Sequence, residues 1–107
     1  MEKFMKFIVK NWLKKRLKEE IYWQNRCLNE KNICQSDRLS EEAELIVLKL
    51  SESKYYKFGG EIIEKEKAEF GLELRIKNLK TRFDHYQNSL DNYSKRIEYL
   101  RYLIEWG

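Results

Sequence analysis

The sequence of 107 residues has no proline, only four glycines, two cysteines and one histidine. Because proline and glycine are the residues least compatible with a helix interior, their scarcity favours long helices. Two cysteines are too few for a scaffold built on disulfides. No stretch approaches the roughly 18 consecutive apolar residues of a membrane-spanning helix. The sequence therefore predicts a single helical domain over residues 1–107.

The two cysteines, Cys27 and Cys34, lie seven positions apart. In one continuous helix this separation is roughly 10 Å along the axis, whereas a disulfide requires Cα atoms within about 7 Å. Two thiols that are not joined indicate a reducing cytoplasm. No second Cys/His pair follows at zinc spacing, so we expect no metal site and no cofactor.

Apolar residues in the last third of the chain follow alternating steps of four and three, the spacing that keeps one edge of a helix against a partner helix. We call this set the heptad seam: Leu72, Ile76, Leu79, Phe83, Tyr86, Leu90, Tyr93, Ile97, Leu100 and Ile104. The seam predicts a long C-terminal helix over 61–105. The predicted fold class is all-α, a small antiparallel helical bundle resembling a coiled coil.

The rest of the chain predicts two further helices, over 2–33 and 41–58. The break between them is marked by side chains that compete with helical hydrogen bonds. These are Asn29, Asn32, Gln35, Ser36 and Asp37. Ser40 has the side chain of an N-cap, and Gly59-Gly60 is expected to end the second of these helices.

A second interpretation of the middle of the chain is an α+β fold, with a three-stranded meander between two helices. Phe70–Ile76 alternates apolar residues with polar residues or glycine, which is a strand pattern. Leu45–Leu50 and Lys54–Ile63 would supply the other two strands, the latter with a glycine bulge. The abundance of Glu, Lys, Leu and Arg over 61–83 favours the helical interpretation.

The residues beside the heptad seam are mostly basic. In a parallel homodimer Arg75 would face Lys80, and Arg96 would face Arg101. Like charges at these positions repel, so a parallel homodimer through the seam is disfavoured. We expect the seam to pack against other segments of this chain or against a more acidic partner.

Charge is segregated along the chain. Residues 1–18 carry seven basic side chains and one acidic one, residues 19–74 carry eight and thirteen, and residues 75–107 carry seven and four. The candidate basic face, for a protein partner or a nucleic acid, is Lys3, Lys6, Lys10, Lys14, Lys15, Arg16 and Lys18. The candidate acidic face, which would imitate nucleic-acid phosphates in a basic cleft, is Glu61, Glu64, Glu66, Glu69 and Glu73.

The apolar face of the first helix turns partway along its length. Met5, Ile8, Val9 and Trp12 share one face, and Leu13, Leu17, Ile21 and Leu28 follow on a face rotated away from it. Such a helix meets different neighbours along its length. We expect the second face to lie in the bundle core, and the first to cover the end of the long helix or to meet a partner.

The sequence lacks the familiar motifs of catalysis. It has no glycine-rich phosphate loop, no His-Glu-x-x-His and no Gly-x-Ser-x-Gly. His85 falls on the outward side of the heptad helix, away from any cleft. The residue three positions before it is Arg82, so the Glu-x-x-His pair of metal sites in helical bundles is absent. We expect the protein not to be an enzyme.

In being short, charged, aromatic and helical, the sequence resembles small proteins of phages and mobile elements. Some of those proteins inhibit host defence proteins or nucleic-acid enzymes, as anti-CRISPR proteins do. This resemblance is compositional and transfers no residue. The leading hypothesis is a non-enzymatic protein-binding module, plausibly an inhibitor of this kind. The alternatives are nucleic-acid binding through the basic helix faces and peripheral membrane attachment through the N-terminal helix; a membrane is the least favoured partner.

Overall fold

The computed structural model describes residues 2–106, apart from the side chains of Glu2 and Phe58. Its elements follow in the order α1 (Glu2–Leu50), β1 (Tyr55–Phe58), β2 (Glu61–Glu64) and α2 (Lys65–Trp106). The predicted all-α fold class with a long C-terminal helix is confirmed, with a small β-hairpin between the helices. The end residues of the predicted domain, Met1 and Gly107, lie outside the described residues.

Helix α1 continues through the segment where the sequence predicts a break. The separate helices predicted over 2–33 and 41–58 are therefore wrong, and Ser40 lies inside the helix rather than at its N-cap. Asn, Ser and Asp each cost only about half a kcal/mol in a helix interior. The stronger helix breakers, proline and glycine, do not occur between residues 2 and 50. Packing along the helix is enough to outweigh the smaller cost.

The hairpin corrects two further helix boundaries. α1 ends at Leu50 instead of continuing to residue 58, and α2 begins at Lys65 rather than at residue 61. Tyr, Phe and Ile dominate the two strands, and these residues favour strands over helices. The glycine pair therefore turns the chain within a hairpin instead of capping a helix.

Gly59 and Gly60 form the two-residue loop of this hairpin. The strands pair antiparallel, with Phe58 opposite Glu61. Both glycines have positive φ, 62° and 86°, which the mirror-image turns of tight hairpins require. Glycine reaches this region without steric cost, so the sequence selects the turn.

The three-stranded meander of the alternative interpretation is wrong. That interpretation predicts Lys54–Ile63 as one strand with a glycine bulge, but it falls in two strands, Tyr55–Phe58 and Glu61–Glu64, joined by a turn. Leu45–Leu50 and Phe70–Ile76 are helical. Leu45 and Leu48 in the first segment, and Leu72 and Ile76 in the second, lie at the spacing of a single helix face, and Leu48 and Leu72 are fully buried there. A strand over the first segment would place Leu45 and Leu48 on opposite faces.

Substitution of Gly60 tests the turn. A residue with a Cβ pays roughly 1–2 kcal/mol in the left-handed region. Beyond Gly60 and its two chain neighbours, no atom lies within 4 Å of the Cβ that would be added, so the expected cost is that of the local backbone. We expect Gly60→Ala to lower the free energy of unfolding by about 1 kcal/mol in a urea titration. Gly60→Asn should lose less, because Asn tolerates positive φ. Unchanged stability of Gly60→Ala would contradict the turn.

Contacts along the chain define two compact units. The terminal unit combines the residues up to Glu30 with those from His85 onward, and the hairpin unit is Lys31–Asp84. Each unit contains one segment of α1 and one segment of α2. The single domain expected from the sequence stays a prediction.

All ten residues of the heptad seam are buried or half-buried. In the hairpin unit Leu72 and Ile76 are buried, and in the terminal unit Ile97 and Leu100 are. The residues on the outward side of α2, including His85, are exposed. The prediction of a helix with one covered apolar edge is confirmed.

Helix α1 faces the seam with a line of residues that has the same alternating spacing. We call it the facing line: Leu13, Leu17, Glu20, Gln24 and Cys27 in the terminal unit, and Lys31, Cys34, Arg38, Glu41, Leu45 and Leu48 in the hairpin unit. All are buried or half-buried. Only the two ends of this line are aliphatic, so most of the seam packs against polar groups and thiols.

Polar contacts join the two helix segments of the terminal unit. The Arg96 Nε donates to Glu20 Oε2 at 3.0 Å, and the Gln24 amide donates to Ser94 Oγ at 3.1 Å. The Cys27 thiol donates to the Tyr86 carbonyl at 3.5 Å. Later residues of α1 meet earlier residues of α2, so the two segments run antiparallel.

The apolar core of the hairpin unit lies where the strands cover the helices. Leu48, Ala68 and Leu72 are buried together, with Tyr56 and Ile63 of the hairpin packed against them. Tyr56 and Ile63 are paired across the two strands, so they point to the same face of the ribbon. This pair fixes the hairpin onto the helices.

Candidate binding surfaces

All seven residues of the predicted basic face lie at exposed positions of α1 in the terminal unit. Arg16 is held by acidic neighbours, at 3.8 Å from Glu19 and 3.2 Å from Glu20. The six lysines form no ion pair with any acidic side chain that the structure describes. Their positive charge is therefore not offset locally.

The five glutamates of the predicted acidic face are divided between two elements of the hairpin unit. Glu61 and Glu64 lie on β2, and Glu66, Glu69 and Glu73 lie on α2. Four are exposed and Glu69 is half-buried. Glu73 lies 3.6 Å from the Lys49 ammonium, so its charge is partly offset.

Basic side chains near these glutamates have structural roles. The Lys65 ammonium donates to the carbonyl oxygens of Lys49 and Ser51, at 3.3 and 2.6 Å. It thereby satisfies carbonyl groups at the C-terminal end of α1, which have no partner within the helix. Residues 39–74 carry nine acidic and five basic side chains, so this part of the hairpin unit is acidic overall.

The terminal unit carries an apolar groove between its two helix segments. Its volume is about 490 Å³ and its lining is mostly apolar. The residues around it are Met5, Lys6, Val9, Lys10, Leu13, Leu103 and Trp106. On the α1 side of this groove, Met5 and Val9 belong to the apolar face that the sequence predicts will cover the long helix or meet a partner. It does not indicate the α2 side, because Leu103 and Trp106 lie outside the heptad seam.

Apolar side chains are also exposed in the hairpin unit. On α1 the hairpin-unit stripe consists of Ile46, Val47 and Leu50, which are 59%, 64% and 79% exposed. On the outward face of the hairpin, Tyr55 and Ile62 are exposed. Sequence reasoning misses this surface, because the run from Leu45 to Leu50 is as compatible with a fully buried element as with a helix that has two faces.

A hydrogen bond anchors the hairpin beside this surface. The Tyr56 hydroxyl donates to Glu44 Oε1 at 2.7 Å. The pKa of Tyr56 is raised, mainly by this hydrogen bond and to a smaller extent by burial of the phenol. The phenol is therefore a donor at neutral pH, and the hairpin stays attached to α1.

A polar cleft of about 320 Å³ lies between the helix segments of the hairpin unit. It is lined by Asp37, Ser40, Glu41, Arg75, Asn78, Leu79 and Arg82. The Arg75 guanidinium lies 3.6 Å from Glu41 Oε1, so charges of both signs oppose one another inside the cleft. This balance does not favour a ligand of a single charge.

Within residues 2–106, no group of three or more His, Cys, Asp and Glu side chains is placed to hold a metal ion. Neither α1 nor α2, over the residues described, has a stretch apolar enough and long enough to cross a membrane. Cys27 and Cys34 are thiols, as the sequence predicts. The binding surfaces are therefore the features of this chain that carry a functional argument.

Comparisons with known proteins give no family for this fold. No protein-family model, no curated protein and no solved structure matches the chain.

Proposed function

We propose that this chain is a non-enzymatic protein-binding module that engages its partner through the hairpin unit. The observation that carries the proposal is the exposure of the hairpin-unit stripe. Ile46, Val47 and Leu50 are each more than half exposed. Full burial of one such side chain against a partner would contribute about 1.5–3 kcal/mol to the free energy of association. Exposed apolar side chains grouped on one helix typically mark an interaction surface.

The charge of residues 39–74, which include the hairpin-unit stripe, supports a particular class of partner. This segment carries nine acidic and five basic side chains, with Glu61, Glu64 and Glu66 exposed, and so complements a protein surface that is both apolar and basic. Clefts that bind nucleic acid are basic. Together with the compositional resemblance to phage and mobile-element proteins, this supports a host nucleic-acid enzyme or defence protein as the partner, met in the cytoplasm.

Affinity capture with a stripe variant tests the proposal. In the variant Ile46→Ser, Val47→Ser and Leu50→Ser are combined, since all three positions are exposed. A partner recovered with the wild-type chain should be lost with this variant. After purification, the partner should bind the variant at least roughly tenfold more weakly in a titration, because the apolar centre of the contact is removed.

A matched control replaces polar residues of the same helix. Asn25→Ser, Asn29→Ser and Asn32→Ser change three exposed positions of α1, and this variant should bind the partner like wild type. Circular dichroism checks that both variants keep their helices. Equal binding by the stripe variant and the wild type would refute the proposed surface.

A further inference from the structure

The first turns of α1 carry a second unpartnered apolar surface, in the terminal unit. We call it the terminal stripe: Phe4, Met5, Ile8, Val9 and Trp12, all exposed. At about 100° per residue these five side chains span an arc of about 140° on the helix. The lysines Lys3, Lys6, Lys10 and Lys14 lie on the opposite side of the same turns. This segment of α1 is therefore amphipathic, with four lysines on its polar face, although the exposed Phe7 also lies on that side.

Aromatic residues extend the apolar surface onto the last turns of α2 in the same unit. Trp106 lines the apolar groove with Met5 and Val9 and is 77% exposed. Its ring centroid lies 5.8 Å from that of Tyr102, which is also exposed, as is Tyr99. Trp and Tyr are enriched where a protein meets the boundary between lipid headgroups and acyl chains, because one part of each side chain is apolar and another is polar.

The charge of the terminal unit is positive and largely uncompensated. The unit has eleven basic and seven acidic residues in sequence. Two of its acidic residues, Glu19 and Glu20, pair with Arg16, and the lysines of the basic face have no acidic partner among the described side chains. This surface complements an anionic one.

From these observations we propose that the terminal stripe binds the surface of an anionic lipid bilayer. α1 would lie in the interface plane, with the stripe at the acyl boundary and the lysines among the headgroups. This combination of Phe and Trp on one face and Lys on the other is typical of interfacial helices. The bilayer accounts for both halves of the surface at once.

Other binding partners would account for only one part of this surface, either the lysines or the terminal stripe. Nucleic-acid phosphates would engage the lysines but leave Ile8 and Trp12 in water. A second copy paired stripe to stripe would bring like charges together. The cores of protein interfaces are depleted in lysine, whereas juxtamembrane segments that bind anionic lipids are enriched in it.

Vesicle binding by the full chain tests the proposal. The wild type should sediment with vesicles of phosphatidylserine and phosphatidylcholine at low salt, and much less with phosphatidylcholine alone. The variant Lys6→Gln/Lys10→Gln should bind the anionic vesicles roughly 25-fold more weakly, since each lysine near such a surface contributes about fivefold. The variant Ile8→Ser/Trp12→Ser should lose roughly tenfold or more, because it removes the part that enters the interface.

Two matched controls isolate the surface. Lys77→Gln/Lys80→Gln removes two exposed lysines of the hairpin unit and should bind vesicles within about twofold of wild type, since these lysines lie outside the terminal unit. The stripe variant of the hairpin unit should also bind vesicles like wild type, so a failure of this inference is distinct from a failure of the proposed function. Circular dichroism checks that each variant keeps its helices. If Ile8→Ser/Trp12→Ser loses them, Trp12→Ser alone takes its place.

Several results would overturn the inference. One is equal binding to anionic and neutral vesicles. Another is undiminished binding by Ile8→Ser/Trp12→Ser, which would show adsorption by charge alone. Binding to duplex DNA without binding to vesicles would assign the lysines to nucleic acid. A doubled mass in light scattering that is lost in Ile8→Ser/Trp12→Ser, again without vesicle binding, would assign the stripe to a second copy.

Discussion

Leu72→Ala is expected to lower the free energy of unfolding by about 2–5 kcal/mol. The Leu72 side chain is 0% exposed and lies in the core of the hairpin unit with Leu48 and Ala68. Its truncation removes apolar contacts and leaves a cavity that the two helix segments cannot fully close. Because small domains are stabilised by only about 5–15 kcal/mol in total, the loss is a large share. Urea denaturation followed by circular dichroism measures it.

Leu74→Ala provides the matched control for this prediction. It makes the same chemical change two residues further along α2, where the side chain is 49% exposed. We expect a loss of about 1 kcal/mol or less, because a half-exposed side chain loses little burial. Equal losses at the two positions would contradict the burial of the heptad seam.

Glu20→Ala is the second substitution for which we expect a large effect. The Glu20 residue is 6% exposed, and its carboxylate accepts a hydrogen bond from Arg96 at 3.0 Å and lies 3.2 Å from Arg16. Its removal leaves two guanidinium groups without this acceptor. We expect a loss of about 1.5–3 kcal/mol, towards the lower value because both arginines are half exposed and solvent screens them. Urea denaturation again provides the measurement.

The neighbouring Glu19 separates the effect of burial from that of charge. Glu19→Ala removes a carboxylate that is half exposed and 3.8 Å from Arg16, so we expect a change within about 0.5 kcal/mol. A double-mutant cycle of Glu20→Ala with Arg96→Ala should show a coupling energy of about 0.5–3 kcal/mol. Additive effects of the two substitutions would show that the contact contributes nothing to stability.

The heptad seam of α2 was readable from the sequence because its residues are apolar and regularly spaced. The facing line of α1 has the same spacing but carries Glu20, Gln24, Lys31 and Arg38 at positions where apolar residues are expected. A search for apolar periodicity cannot find such a line, because burial there depends on the partners that Arg96 and Ser94 supply from α2. The incorrect prediction of a break in α1 has a different source. It rests on Asn29, Asn32, Gln35, Ser36 and Asp37, which all lie at exposed positions outside the facing line.

The hairpin illustrates a different limit of sequence reasoning. Gly59-Gly60 signals a turn, but it fits the end of a helix as well as the loop between two strands. The choice depends on Tyr56 and Ile63, which pack on a core to which both helices contribute. Such contacts are not visible in a local pattern.

The binding surfaces were only partly predictable. The lysines of the basic face and the rotated apolar face with Ile8 and Trp12 follow from helical spacing. That this apolar face is exposed follows only from the structure. The hairpin-unit stripe was missed, because Ile46 and Val47 belong to a run of apolar residues with no period of its own.

The polar facing line also restricts how the two helices align. A seam that repeats every seven residues permits one helix to slide along the other by a heptad with similar apolar contacts. In the terminal unit such a slide would move Arg96 away from Glu20 and bring Ser89 or Leu103 to its place. The buried carboxylate would then lose the hydrogen bond from Arg96 and keep only Arg16 of its own helix segment. Glu20, the one acid that is buried among the described side chains of this unit, thus favours one alignment of two helix segments whose apolar spacing alone would permit several.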